Sequence, residues 1–201
     1  MWEIRISEFF YCPNTIFGLV FDCIGESPAV IPIIYFSCVL GGLLLKKKSV
    51  VARKSSLIGL SCYLVCVLVL SVTVVGTIKH LWGRVRFCDL TPPTYDEYTP
   101  FYLLGSGGRS FPSGHASMSA LSFLLIDVNS VHNVFKKRKV VAFACIFTFL
   151  TCLSRLMEGA HFITDLIFGV LITLSIRFLL RKFFLFLKHK LHAKSHRQNS
   201  A

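Results

Sequence analysis

Residues 57–78 read LIGLSCYLVCVLVLSVTVVGTI, an apolar stretch that contains no charged residue. A membrane-spanning helix needs roughly 20 mostly apolar residues, and this stretch reaches that length. Further stretches at 28–45, 140–153 with its flanks, and 162–180 are of the same kind. A fifth, 116–128, is short but becomes long enough if its helix begins near Pro112. The sequence therefore predicts an all-α, polytopic membrane bundle with five transmembrane helices.

The composition of the 201-residue chain agrees with a membrane protein. Hydrophobic residues make up 54% of the chain and the mean hydropathy is +0.65, too apolar for a soluble domain of this length. A net charge of +12 would suggest nucleic-acid binding in a soluble protein. In a hydrophobic chain the same excess marks cytoplasmic loops instead. We therefore expect the membrane, and no nucleic acid, as a partner; the oligomeric state is left open.

The basic residues fall in three blocks, at 46–54, 136–139 and 181–197. Five spans place all three blocks on one side of the membrane, which the positive-inside rule assigns to the cytoplasm. The connections 79–110 and 155–161 then face away from the cytoplasm. We expect a multi-pass protein of the plasma (inner) membrane with its functional site on the non-cytoplasmic face.

The segment ahead of Pro28 is aromatic but is interrupted by Pro13, Asn14 and Asp22. We interpret it as an N-terminal interfacial helix on the outer face rather than as a further span. The expected domains are an interfacial segment, a membrane domain and a basic cytoplasmic tail, at 1–27, 28–182 and 183–201. Three of the eight cysteines fall outside the spans, where a disulfide is compatible with the sequence but not required: Cys12, Cys23 and Cys88.

Three polar clusters lie on the outward side of this plan. K-H-L-W-G-R-V-R follows the second span and holds Lys79 and Arg86 seven residues apart, on one helix face if the helix continues. P-S-G-H, at 112–115, opens the third span. In the last outer connection His161 and Asp165 are four residues apart at a helix start, so their side chains can touch.

Each cluster also has a plainer explanation. Lys79, Arg84 and Arg86 can be interfacial anchors that extend to lipid headgroups. Asp165 can be a helix N-terminal charge favoured by the macrodipole. However, these outward cations oppose the charge bias of the rest of the chain. Ionisable residues that converge at membrane helix ends indicate a functional site.

The chemistry of the three clusters together suits a tetrahedral phosphate. The first and third clusters supply permanent cations, two of them arginines able to chelate oxygens. The backbone N–H groups of Ser113 and Gly114 open a helix and would be free to point at an anion. Two histidines beside a phosphate suggest that one attacks phosphorus while the other supplies a proton.

In this order the motifs resemble those of the type 2 phosphatidic acid phosphatase superfamily, membrane-bound branch. That family carries K-x6-R-P, then P-S-G-H, then S-R-x5-H-x3-D. The second and third patterns match fully, at 112–115 and 154–165. In the first pattern Phe87 stands where the family has proline. The resemblance extends over residues 24–181, nearly the whole membrane body.

The resemblance implies a role for each matching residue. His161 would be the nucleophile that forms a phosphohistidine, and Asp165 would orient it. His115 would protonate the leaving alkoxide and then activate water. The phosphoryl oxygens would be held by Lys79, Arg86, Ser113, Gly114 and Arg155. No metal or other cofactor is implied. Family members usually have six spans with both ends cytoplasmic, so the leading span would here fall before Met1.

The expected function is therefore that of a membrane phosphatase acting on a phosphate monoester or diphosphate of a lipid. Phosphatidic acid, phosphatidylglycerol phosphate, polyprenyl diphosphate and lipid A phosphate all remain open as substrates. A vanadium-dependent haloperoxidase shares this anion pocket, but those enzymes are soluble. A non-catalytic lipid-phosphate binding or transport protein is the other alternative, although binding alone does not need two histidines and a carboxylate.

Overall fold

The computed structural model describes residues 2–48, 54–105 and 107–199, and over these residues the chain is helical without β-strands. Short 3-10 turns at Ser27–Ala29, Phe87–Asp89 and Leu121–Phe123 link or follow some of the helices. The α-helices are α1 (Trp2–Phe10), α2 (Ile16–Ile24), α3 (Val30–Leu44), α4 (Lys54–Trp82), α5 (Gly114–Ala120), α6 (Leu124–His132), α7 (Lys137–Met157) and α8 (Ile163–Asn199). The predicted all-α class is confirmed.

Four segments of the described chain are long and apolar enough to cross a membrane: Ile16–Leu44, Ser56–Asp89, Lys137–Met157 and Ile163–Lys188. They support an integral membrane protein, as the sequence predicts. The predicted count of five spans is not confirmed. The stretch expected as the fifth, 116–128, is helical, but the 3-10 turn at Leu121–Phe123 divides it into the short helices α5 and α6.

The N-terminal segment forms two helices rather than one. α2 leads through the turn Ser27–Ala29 into α3, so the apolar segment begins at Ile16, twelve residues ahead of the predicted first span. The interfacial position of this segment and the division of the chain at residues 27 and 182 stay predictions. The first basic block falls partly on residues 49–53, outside the described part. Cys12, Cys23 and Cys88 are free thiols, so the disulfide allowed by the sequence is not formed.

α5 is the central helix, since it packs against α4, α7 and α8. Its residues Ala116–Ala120 are all buried and small or narrow. The Ser117 hydroxyl lies 2.7 Å from the hydroxyl of Thr173 on α8. Small residues let membrane helices approach closely, and hydroxyl pairs link them where water is excluded.

The first turn of α5 is fixed against α8 at Gly169. A Cβ atom added to Gly169 would lie 2.5 Å from the carbonyl oxygen of Ser113. The N–H of Ser113 donates in turn to the carbonyl oxygen of Asp165 at 2.9 Å. Because this approach leaves no room for a side chain, the P-S-G-H turn sits directly on the start of α8.

A second polar contact closes the other end of the bundle. Asp127 on α6 is buried and accepts hydrogen bonds from Nε and Nη2 of Arg177 on α8, at 2.8 and 3.1 Å. The hydroxyl of Tyr63 on α4 donates to the same carboxylate at 3.1 Å. Three helices are therefore joined through one buried carboxylate, far along each helix from the P-S-G-H turn.

We predict that Gly169→Ala destabilises the protein by about 1–3 kcal/mol, because overpacking at a backbone contact forces the helices apart. Thermal unfolding in detergent measures the effect. Gly76→Ala on α4 is the matched control, since a Cβ there meets open space in the described structure. An alanine at a helix interior is worth roughly 0.5–1 kcal/mol over glycine, so the control should unfold no earlier than the parent. Equal loss in both variants would contradict the close α5–α8 contact.

Candidate active site

Asp165 is a fully buried carboxylate in the first turn of α8. Its Oδ2 accepts the backbone N–H of Phe162 at 2.9 Å and the hydroxyl of Ser110 at 2.5 Å. Its Oδ1 accepts Nη1 of Arg84 at 2.5 Å. The contact with the Phe162 N–H is the return half of a capping box, and it fixes the direction of the carboxylate. The positive end of the helix dipole also favours a negative charge here.

The imidazole of His161 is buried beside Asp165. Its Nδ1 is 3.9 Å from Oδ2 of Asp165, too long for a direct hydrogen bond. The hydroxyl of Ser110 lies 3.4 Å from Nδ1 and 2.5 Å from Oδ2. The sequence spacing predicted that the side chains of His161 and Asp165 could touch, and in the structure they are linked through Ser110. Nε2 of His161 takes no part in this link.

The surroundings of His161 favour its neutral form. Burial lowers the pKa of His161 below its ordinary value of 6.5, and the positive charges of Lys79 and Arg86 lower it further. Asp165 acts in the opposite direction but does not reverse the shift. The imidazole is therefore unprotonated at neutral pH, as an attacking nitrogen has to be.

Arg84 is the largest fully buried side chain of the described structure. Its guanidinium donates to Asp165, to Oε2 of Glu3 at 2.9 Å and to the carbonyl oxygen of Thr99 at 2.8 Å. It also lies over the ring of Phe162, 4.1 Å from the centroid. The explanation of Arg84 as a snorkelling anchor is therefore wrong, because its charge is neutralised inside the protein rather than at the lipid surface.

Glu3 brings α1 into the same buried cluster. Besides Arg84, its carboxylate accepts the hydroxyl of Tyr98 at 2.6 Å and the hydroxyl of Thr164. Neither Glu3 nor Ser110 has a role that the sequence predicts, and for Arg84 the sequence suggests only an interfacial anchor. In the sequence, Glu3 is visible only as a charged residue in an aromatic segment. That pattern does not identify Arg84, which is 81 residues away, as its partner.

Close backbone packing brings Arg84 and Ser110 together. The N–H groups of Gly108 and Ser110 donate to the carbonyl oxygens of Gly83 and Arg84, at 2.9 and 2.8 Å. A Cβ on Gly108 would lie 2.0 Å from the carbonyl oxygen of Arg84. The glycines of the outer loop, residues 83–110, therefore allow its two ends to approach closely. This backbone contact places Ser110 beside His161.

Lys79 and Arg86 do not share a helix face, contrary to the sequence expectation. α4 ends at Trp82, and Gly83 follows with a φ of +68°, a conformation that commonly terminates helices. Arg86 lies beyond it in extended backbone with an exposed side chain. Lys79 is half-buried, and its Nζ is 3.6 Å from the position of a Cβ on Gly114. The tertiary fold, rather than helix periodicity, places both cations within electrostatic range of His161.

The P-S-G-H turn uses Ser113 as the N-cap of α5. The Ser113 hydroxyl accepts the N–H of Ala116 at 3.3 Å. The Ser113 N–H is bonded to the Asp165 carbonyl oxygen, so it is not free for an anion as expected from the sequence. Gly114, beside Lys79, presents bare backbone to the site.

His115 and Arg155 both contact α2. Nε2 of His115 is 3.3 Å from Oδ1 of Asp22, and Nδ1 is 3.6 Å from Oε1 of Glu26. Arg155 is buried; its Nη1 is paired with the same oxygen of Asp22, and its Nη2 donates to the carbonyl oxygen of Gly18 at 2.9 Å. Asp22 thus brings His115 and Arg155 together. In the sequence, Asp22 is visible only as an interruption of an aromatic segment.

The residues predicted to form the site occupy two adjoining halves. One half holds His161, Asp165, Lys79 and Arg86, and the other holds His115 and Arg155. The P-S-G-H turn joins them, because Ser113 is bonded to Asp165, Gly114 lies beside Lys79, and His115 follows directly. The three separate motifs therefore meet at the ends of α4, α5, α7 and α8.

One comparison with known proteins bears on this arrangement. A family model described as the PAP2 superfamily matches residues 60–188. The matched region is more than half of the chain and contains all three motifs, whereas α1, α2 and α3 precede it. No solved structure matches the chain significantly.

We predict that Glu3→Gln lowers the free energy of unfolding by about 1.5–3 kcal/mol, because the buried hydrogen bonds that Glu3 accepts from Arg84, Tyr98 and Thr164 lose their charged acceptor. Thermal or denaturant unfolding in detergent gives the measurement. Arg5→Gln is the matched control, since Arg5 is an exposed residue of the same helix, and it should change stability by less than about 0.5 kcal/mol. Comparable losses in the two variants would show that the Glu3–Arg84 pair is not the source of the effect.

Proposed function

The chain belongs to the PAP2 superfamily, and from that membership we propose that it is an integral-membrane phosphatase that hydrolyses a phosphate monoester or diphosphate of a lipid. Membership in this superfamily indicates phosphatase chemistry. The lipid substrate, the covalent phosphohistidine and the individual residue roles are the parts that we add. The contacts at the two histidines and the apolar residues around them support these parts.

The observation that carries the proposal is the environment of His161. A neutral imidazole is buried next to two cations, and its Nδ1 is linked through Ser110 to the carboxylate of Asp165. With Nδ1 engaged, Nε2 is the nitrogen that can attack. Asp165 stabilises the positive charge that develops on the ring during attack. A site that only binds phosphate needs the cations, but it does not need a neutral imidazole that is linked to a carboxylate.

In the first step Nε2 of His161 attacks phosphorus and the P–O bond to the lipid alkoxide breaks. The alkoxide takes a proton from His115, and phosphorus stays bound to His161. In the second step His115, now neutral, removes a proton from water, the oxygen attacks phosphorus, and the P–N bond breaks to release phosphate. Lys79, Arg86, Arg155, the hydroxyl of Ser113 and the backbone N–H of Gly114 hold the phosphoryl oxygens. Preorganised charge of this kind supplies most of the catalysis in phosphoryl transfer.

The surroundings of the site support a lipid rather than a soluble phosphate ester. Leu81, two residues after Lys79 at the end of α4, and Leu103 and Leu104, in the connection that leads to Ser110, are large, exposed apolar residues. Such residues at the end of a membrane helix suit acyl or polyprenyl chains that remain in the bilayer while the headgroup enters the site. The basic blocks favour the non-cytoplasmic face of the plasma membrane for this end of the bundle.

We predict that His161→Ala lowers phosphate release by about 10³-fold or more, as expected when a nucleophile is removed. The assay offers detergent-purified protein a panel of lipid phosphates and diphosphates without added metal and measures free phosphate. His132→Ala is the control, because His132 bonds to Tyr35 at the opposite end of the bundle. The parent, but not His161→Ala, should yield protein-bound phosphate that is labile in acid and stable in base. Equal release by parent and His161→Ala would overturn the proposal.

We predict that His161 titrates below pH 6.5, because burial and the neighbouring cations disfavour its charged form. NMR of the labelled imidazole in detergent measures this directly. Arg86→Gln removes one of the cations that lower the pKa, so titration should move to higher pH than in the parent. Since the unfolded chain binds the proton more readily, stability should fall as pH drops through about 6.5. Titration of His161 at or above 6.5 in the parent would contradict the neutral nucleophile.

A further inference from the structure

α2 lies along α7 through a face of small residues. A Cβ on Gly18 would be 1.8 Å from Oε1 of Glu158, and a Cβ on Gly25 would be 2.7 Å from Cγ2 of Thr151. The two glycines are seven residues apart and their partners are also seven residues apart, in the opposite order. The helices therefore run antiparallel in close contact. Asp22, four residues after Gly18, lies on the same face of α2 and meets α7 at Arg155.

Asp22 contacts both predicted site residues of this half with one oxygen. Its Oδ1 pairs with Nη1 of Arg155 and lies 3.3 Å from Nε2 of His115. Nη2 of Arg155 donates to the Gly18 carbonyl oxygen at 2.9 Å and Nε donates to the Ser154 hydroxyl at 3.3 Å. These contacts use three of the five N–H groups of an arginine and leave two for a phosphoryl group. The orientation of Arg155 is thus set by α2.

The same carboxylate, which is about half exposed, lies beside the ring of His115. Nε2 is at an ion-pair distance of 3.3 Å from Asp22, whereas Nδ1 is 3.6 Å from Glu26, so we assign Nδ1 as the nitrogen that remains available to the substrate. Burial lowers the pKa of His115 below its ordinary value of 6.5, and Arg155 adds to the lowering; the carboxylates of Glu26 and Asp22 oppose this shift but do not reverse it. A proton donor must carry its proton when the substrate arrives, so the two acidic residues act in the direction that donation requires.

We propose that Asp22 is a positioning residue that holds the ring of the proton donor His115 in register with the phosphate-binding Arg155. The inference rests on the proposed function. α2 lies outside the region matched by the family model. Through Asp22 it helps to position His115, as Asp165 helps to position His161.

Substrates with different leaving groups should respond differently to the loss of Asp22. An alkoxide leaving from a lipid phosphate needs a proton, whereas p-nitrophenolate leaves without one. The constant kcat/KM reports the first phosphoryl transfer, in which His115 acts only as a donor. We therefore expect Asp22→Asn, which keeps the size of the side chain, to lower kcat/KM for an alkyl lipid phosphate by about 10–100-fold. For p-nitrophenyl phosphate we expect a change of less than about threefold, because Arg155 keeps its hydrogen bonds to Gly18 and Ser154 in this variant. The basic limb of the alkyl pH profile should also move to lower pH.

Two further variants complete the experiment. Asp22→Glu keeps the charge and should recover most of the activity on the alkyl phosphate. Glu97→Gln removes an exposed carboxylate from the outer loop and should leave the ratio of the two substrates unchanged. Both substrates are measured on one preparation, so the ratio does not depend on how much of the variant is folded.

Each other result has a distinct meaning. If Asp22→Asn lowers kcat/KM equally for both substrates, Asp22 has only a structural role and the inference is wrong. If it raises kcat/KM for both, Asp22 instead competes with the substrate for Arg155, and the inference is also wrong. In both cases turnover by the parent and its loss in His161→Ala would leave the proposed function standing. If the parent hydrolyses neither substrate, the proposed function fails and this inference fails with it.

Discussion

The neutralisation of one buried carboxylate, that of Asp165, is the constraint on which the rest of the structure depends. A charge with no access to water is costly unless paired and hydrogen bonded, and within a membrane protein that cost is higher still. Here Arg84, Ser110 and the N–H of Phe162 supply the partners. Arg84 in turn needs Glu3, which recruits α1. The outer loop must approach through glycines to deliver Ser110. Satisfying one carboxylate thus positions three separate segments of the chain.

The same constraint links stability to chemistry. A carboxylate that is held at the start of α8 by a helix cap and an arginine cannot move, so the imidazole linked to it through Ser110 is also held. The second histidine is served by Asp22, a carboxylate from another helix, with Arg155 as the shared cation. In the mechanism that we propose, a nucleophile and a proton donor are each positioned by their own carboxylate, the preorganised arrangement that phosphoryl transfer requires.

The remainder of the bundle keeps these groups in place. α5 is central and narrow, and it presents alanines and serines to its neighbours, so that α4, α7 and α8 all approach closely. Gly169 seats the P-S-G-H turn on α8, while Asp127 joins α4, α6 and α8 at the far end. With both ends fastened by buried polar contacts, the helices have little freedom to slide. This explains how short motifs on separate helices remain in register.

The helical membrane class, the family and the motifs follow from the amino-acid sequence alone, because hydropathy and residue spacing are local properties that can be read along the chain. The sequence placed Lys79 and Arg86 together for the wrong reason, since Gly83 ends the helix between them. The partners of the two histidines were decided only by the tertiary structure. Asp22 and Arg155 are 133 residues apart and Ser110 and Asp165 are 55 apart. No periodicity connects such pairs; only the packing of glycine faces and the pairing of polar side chains brings them into contact.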